Sequence, residues 1–267
     1  MSRLFKADLY RIFRGVAIYV AIAIMVIAGT LSVWKKSPGY IGAVVSVDDK
    51  AVLMVDPEQN DAISESSGLV ERILGANYNL YYAMIPLVFA VLIADFSQHT
   101  LKNTLTSAVS RRKYFAYKLL LCLGGSALLL VFNNLFIYLF NAVVNGKAYT
   151  GSFLRIVKVT ALQLPVILAM ATFLAMLGFL VRNAVAFNGI SIPFQVVLQI
   201  VIAAVYHFTK VEFLVHFTEK YEWSLMLTWL AYLPKSSYCL RCLVVCLAEI
   251  AVFSWVSMLA FKRAEIR

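Results

Sequence analysis

Long uncharged apolar runs alternate with short polar, charged segments along the whole chain. The first run, Gly15 to Trp34, carries no charge over its full length. At about 1.5 Å of rise per residue, a helix of that length crosses the ~30 Å hydrocarbon core of a bilayer. Comparable runs follow at about 79–96, 119–142, 160–181, 184–208 and 239–261. The pattern predicts an all-α membrane protein with six transmembrane helices, and an even number of spans puts both termini on one side. Ahead of the first run, Leu4, Phe5, Leu9, Ile12 and Phe13 can share one helix face. Arg3, Lys6 and Arg14 lie largely opposite, with Arg11 near the boundary. Residues 1–14 are therefore predicted to form an amphipathic helix in the membrane interface. No small-x-small pattern closes the next run, so it reads as an uncleaved anchor.

The connections differ in charge. Residues 97–118 hold Lys102, Arg111, Arg112, Lys113 and Lys118, just after Asp95 at the end of the second run. Basic connections of this length belong on the cytoplasmic face. Within it Leu101, Leu105 and Ala108 recur at helical spacing, which fits a short helix lying on the membrane surface; a plain solvated loop fits as well. Residues 35–77 carry Asp48, Asp49, Asp56, Glu58, Asp61, Glu65 and Glu71, and are predicted to lie outside. Leu69, Val70, Ile73 and Leu74 suggest a short helix before the second span. A loop of this length carries a fold or function of its own, or is a lid over the spans. Residues 209–238 form a second outer region, with Trp223, Trp229 and Tyr232 placed for a water–membrane interface and one or two helices dipping into the leaflet. Arg182-Asn183 makes a very short cytoplasmic turn. The chain reads as a single transmembrane domain over 1–267.

Composition narrows the class. The 267 residues are 62% hydrophobic and 14% charged, with mean hydropathy +0.81, against about 45–50% apolar for a soluble domain. The net charge of +10 is concentrated in the connections and termini assigned to the cytoplasm, where Asp8, Asp95 and Glu265 are the acids. That distribution points to anionic lipid headgroups and an acidic partner surface, not to nucleic acid. Cys239, Cys242 and Cys246 fall on one helix without a histidine nearby, so apolar packing is expected and no metal. The chain has no Gly-x-x-x-x-Gly-Lys-Ser/Thr and no His-Glu-x-x-His, and its histidines, His99, His207 and His216, are scattered. No catalytic residue and no cofactor of its own is expected.

Two polar features lie inside the spans. Asn188, Ser191, Gln195 and Gln199 share one face of the fifth. They fit a transport pathway or a subunit interface, and equally the interhelical hydrogen bonds of a stable bundle. Pro193 lies in the same span. Glu249 lies midway along the sixth; a hydrogen bond to an Asn or Gln of a neighbouring span is the favoured reading over a proton-coupled role. Asp95 is expected to anchor the basic loop through Lys102 or Arg111. Gly124, Gly125, Ser126, Ala171, Ala175 and Gly178 mark close helix packing.

The residues Asp95, Phe96, Thr100, Lys102, Asn103, Leu105, Ser110, Arg111, Tyr114 and Lys118, with the N-terminal Leu4-Phe5-Lys6-Ala7-Asp8-Leu9-Tyr10-Arg11, carry a resemblance. The chain resembles permease subunits of type-2 ABC exporters, above all the small six-span subunits of bacteriocin-immunity, lantibiotic-immunity and peptide-export systems in Gram-positive bacteria. It departs from that pattern at His99, where a glycine is expected, and the outer loops are not covered. The resemblance implies a multi-pass protein of the bacterial cytoplasmic membrane that pairs with a second permease subunit, identical or related. It also implies a separate ABC ATP-binding subunit that holds ATP and Mg. Thr100, Lys102, Asn103, Leu105, Ser110 and Arg111 would form the docking surface for that subunit. The implied cargo is a membrane-active peptide; the alternatives are a small hydrophobic antibiotic, or a sensor subunit that does not transport.

Overall fold

The computed structural model describes residues 2–36, 46–47, 50–51, 69–97, 110–146, 150–209 and 221–262. The helices are α1 (Ser2–Arg14), α2 (Val16–Trp34), α3 (Leu69–Ser97), α4 (Arg111–Val144), α5 (Phe153–Val181), α6 (Ala184–Thr209), α7 (Trp223–Ala231) and α8 (Ser236–Lys262). Six of them, α2 to α6 and α8, are long and apolar enough to cross a membrane. Two two-residue strands, Ser46–Val47 and Lys50–Ala51, pair antiparallel between α2 and α3.

The helices are longer than the apolar runs alone indicate. α3 begins at Leu69, so the short helix expected at 69–74 runs straight into the second span. α4 begins at Arg111, because Ser110 caps it: the Ser110 hydroxyl accepts from the Lys113 backbone N–H at 3.4 Å. Residues 111–118 are thus helical, where a loop over 97–118 was expected. The Arg182-Asn183 turn forms as read. Arg182 ends α5 in the left-handed region at φ 53°, and its guanidinium donates to Phe179 O at 2.9 Å and Ala260 O at 2.7 Å. Asn183 Oδ1 then accepts from the Val185 and Ala186 N–H groups and starts α6.

α3 is the centre of the bundle. Within its most apolar stretch 72% of the residues are buried, against 17% in α6 and in α8. It packs against α2, α4, α5 and α7, and buries Leu80, Tyr81, Met84, Val88, Val91 and Ile93. Pro86 lacks the N–H that would continue the ladder, and a π-helical turn at Phe89–Ile93 follows it. Small residues let the neighbours approach. A Cβ at Gly125 would lie 2.8 Å from Leu87 Cδ2, and one at Gly178 would lie 2.7 Å from Leu92 Cδ2 and 3.0 Å from Ile93 Cδ1. Ala171 and Ala175 are fully buried on the same helix as Gly178.

α1 and the last turn of α8 lie at the same end of the bundle, since Arg11 reaches Asp95 while Tyr114 stacks on Phe261 with ring centroids 5.7 Å apart. This is called the basic end below.

The contact at Gly178 yields a test. Gly178→Leu should destabilise the protein by about 1–3 kcal/mol, read as a lower melting temperature in detergent. Gly124→Leu should leave it unchanged, because nothing lies within 4 Å of a Cβ there.

Candidate functional site

At the basic end, four charged side chains and a tyrosine meet where α1, the end of α3 and the start of α4 converge. Lys118 Nζ lies 2.8 Å from Asp8 Oδ2 and 2.7 Å from Asp95 Oδ2. Arg11 pairs with the same two acids, at 3.1 Å to Asp8 Oδ1 and by a short contact to Asp95 Oδ1. It also donates to Val91 O at 3.3 Å. Tyr114 Oη donates to Asp95 Oδ2 at 2.6 Å. Two acids and two cations cancel, which is the condition for holding them out of water. The Lys118 side chain is 0% exposed and those of Asp8 and Asp95 are under a tenth. Burial alone would pull the Arg11 guanidinium down; the hydrogen bond and charge of Asp95, with the charge of Asp8, reverse this and raise it above its ordinary value.

Helix geometry builds the cluster. Asp8, Arg11 and Ile12 share the buried side of α1, and Tyr114 and Lys118 are one turn apart on α4. Asp95 therefore pairs, among the described residues, with Arg11 and Lys118. The expected partner Arg111 instead donates to Lys262 O at 3.1 Å, and Lys102 lies outside the described residues. The face of α1 turned to the bundle is charged in part, while Tyr10 and Phe13 point outward, 60% and 64% exposed. Of the expected docking surface, Thr100, Lys102, Asn103 and Leu105 lie outside the described residues. Ser110 and Arg111 are exposed at the start of α4.

The polar line on α6 faces the bundle. Ser191 and Gln195 are fully buried, and Asn188 and Gln199 half-buried. Gln199 Nε2 donates to Tyr78 Oη at 3.2 Å, and Tyr81 Oη donates to Ser191 O at 2.9 Å, so the line lies along α3. The Ser191 hydroxyl and both amide atoms of Gln195 have no hydrogen-bond partner among the described residues. Glu249 does not bond to an Asn or Gln, as was favoured. Its Oε2 accepts from the Trp223 indole N–H at 2.9 Å, so the partner comes from the start of α7.

The end opposite the basic cluster is tied by neutral amides, a centre the sequence reading did not assemble. Asn77 Nδ2 donates to Asn134 Oδ1 at 2.8 Å and to Gln163 Oε1 at 2.6 Å, and Asn133 donates back to Asn77 at 2.9 Å. Gln163 Nε2 donates to Leu74 O and Leu227 O, both at 3.0 Å. Arg155 pairs with the buried Glu71 at 3.0 Å. Glu222 caps α7, accepting from the Leu225 N–H at 2.9 Å; burial pushes its carboxyl up, and bonds from Ser224 and Leu225 oppose this. Among the described residues no group of three His, Cys, Asp or Glu converges as a metal site.

No family model, curated protein or solved structure matches this chain.

The cluster predicts a coupling energy. Lys118→Met leaves two buried carboxylates with one cation and should cost about 3–5 kcal/mol. Asp8→Asn combined with Lys118→Met should cost clearly less than the sum of the single changes, a non-additivity measured by thermal unfolding of the four proteins.

Proposed function

We propose that the chain is the transmembrane subunit of an ATP-driven exporter of the type-2 ABC class, resident in a bacterial cytoplasmic membrane. The observation that carries this reading is the charge cluster: Asp95 immediately precedes the 98–109 segment, Tyr114 and Lys118 follow it, and α1 is ion-paired to both sides. A segment anchored at both ends to buried ion pairs passes a push on to α1, α3 and α4 together. The resemblance in 95–118 gives that segment a role as the docking surface of a separate ATP-binding subunit, which would hold ATP and Mg. The six apolar helices and the excess of cations at the basic end fit this orientation, with that end in the cytoplasm. Two permease subunits, identical or related, would face each other. The cargo in this reading is a membrane-active peptide taken from the membrane, and Asn188, Ser191, Gln195, Gln199 and Glu249 are the candidates for a pathway or subunit interface.

Purification of the tagged chain from its native host in mild detergent, followed by mass spectrometry, tests the proposal. A stoichiometric ATP-binding subunit is expected. Lys102→Ala combined with Arg111→Ala should then lower cargo-stimulated ATP hydrolysis at least tenfold without changing the melting temperature. A chain that purifies alone, or with a histidine kinase, overturns the exporter reading.

A further inference from the structure

A second centre lies away from the charge cluster and uses none of the polar side chains of the line on α6. Phe173 of α5 sits between three aromatic rings. Its ring centroid is 4.5 Å from that of Phe194 on α6, 5.5 Å from Trp223 at the start of α7, and 5.6 Å from Phe253 on α8. Glu249 is one helical turn before Phe253 on α8, and its Oε2 accepts from the Trp223 indole at 2.9 Å. Its other oxygen, Oε1, has no partner among the described residues, and no cation among them comes within ion-pair distance. Trp223 and Phe173 are buried, whereas Glu249, Phe194 and Phe253 are only half-buried. Their neighbours on α8, Leu247 and Val252, are 55% and 54% exposed on a helix apolar enough to face lipid.

We propose that Glu249, Trp223, Phe173, Phe194 and Phe253 form a binding site for a lipophilic organic cation. An ionised carboxylate in an apolar span needs a counter-charge, and among the described residues Glu249 receives only a neutral N–H. The faces of aromatic rings carry negative potential and attract a weakly hydrated cation over an apolar one of equal size. The carboxylate supplies the charge, the rings supply a surface a hydrated inorganic ion does not use, and the half-exposed edge between α6 and α8 admits a ligand from the lipid. The indole bond fixes the carboxylate while leaving Oε1 to the ligand. This inference goes beyond the exporter reading and does not depend on it, because binding is an equilibrium property of this chain alone.

The test uses tetraphenylphosphonium and tetraphenylborate, ions of like shape and opposite charge, in equilibrium binding to the purified full chain in detergent. The wild-type protein should bind the phosphonium at least tenfold more tightly than the borate. Glu249→Gln keeps an oxygen that accepts from Trp223, so a purely structural carboxyl predicts no change. The proposal predicts at least a tenfold loss of phosphonium affinity with the melting temperature and borate binding unchanged. Phe173→Leu should weaken the phosphonium about threefold or more, and this variant with the wild-type preference decides the matter if Glu249→Gln fails to fold. A wild-type protein that binds neither ion or both alike overturns the site, as does a folded Glu249→Gln that binds the phosphonium as well as the wild type.

Discussion

The Lys118 ammonium sits among helices with no access to water. Its desolvation costs several kcal/mol, and only charges close by can offset that. Asp95 alone would offset part of it, but Asp95 ends α3 and must itself be neutralised. Asp8 and Arg11 complete the balance, and both come from α1. The N-terminal helix is therefore held by an electrostatic requirement of α3 and α4, beyond the general attraction of an amphipathic helix for an interface. α1 turns Asp8 and Ile12 inward and leaves Phe13 outside, because satisfying Lys118 outweighs burying one more aromatic ring.

The two ends of the bundle use different chemistry for the same purpose. Ions join helices at the basic end, next to exposed Arg111, Arg112 and Lys113. Carboxamides join them at the other end, where Asn77 and Gln163 link α3, α4, α5 and α7. An amide carries donor and acceptor in one neutral group, so it can bridge several helices without a counter-charge. α3 departs from regular α geometry twice, in a 3-10 turn at Ala76–Asn79 beside the amide tie and in the π-helical turn after Pro86. Gly178 packs against that π-helical turn, so the irregular stretch is one that α5 approaches closely.

Six helices long and apolar enough to cross a membrane, the Arg182-Asn183 turn and the small-residue contacts at Gly125 and Gly178 were legible in the sequence, because length, apolarity and residue size act locally. The alignment of Asn188, Ser191, Gln195 and Gln199 was legible too, as a helical period. Partners were not. Asp95 was assigned to Lys102 or Arg111, the nearest cations along the chain; Lys102 lies outside the described residues, and one partner the structure shows, Arg11, is 84 residues away. Lys118 looked like one more loop cation because nothing in the local pattern distinguishes a buried lysine from a solvated one. The spacing of Tyr114 and Lys118 puts both on one face, and Asp8 is the lone acid in a basic helix; together those were the available signals. Trp223 was read as an interfacial residue, and its hydrogen bond to Glu249 follows from how α7 folds back, which no sequence period encodes.

The hydrogen-bond balance separates α6 from the rest of the bundle. α3, α4, α5 and α7 are joined by amide bonds in which every donor of Asn77 and Gln163 has a partner. α6 is joined to α3 by the Gln199–Tyr78 and Tyr81–Ser191 bonds, and between them Gln195 is buried with both amide atoms unmet among the described residues. An unmet buried polar group costs about 1–3 kcal/mol, comparable to what those two bonds return. Pro193, two residues before Gln195, removes a further backbone donor from the same stretch. Along this seam polar bonding contributes close to nothing net, so α6 is held there mainly by apolar contacts such as Phe194 on Phe173. Separating α6 from α3 would expose Gln195 to hydrogen-bonding partners it now lacks, whereas separating α4 from α5 would break a satisfied network. The same cost argument that fixes α1 firmly to the bundle thus marks the α3–α6 seam as the interface that yields first.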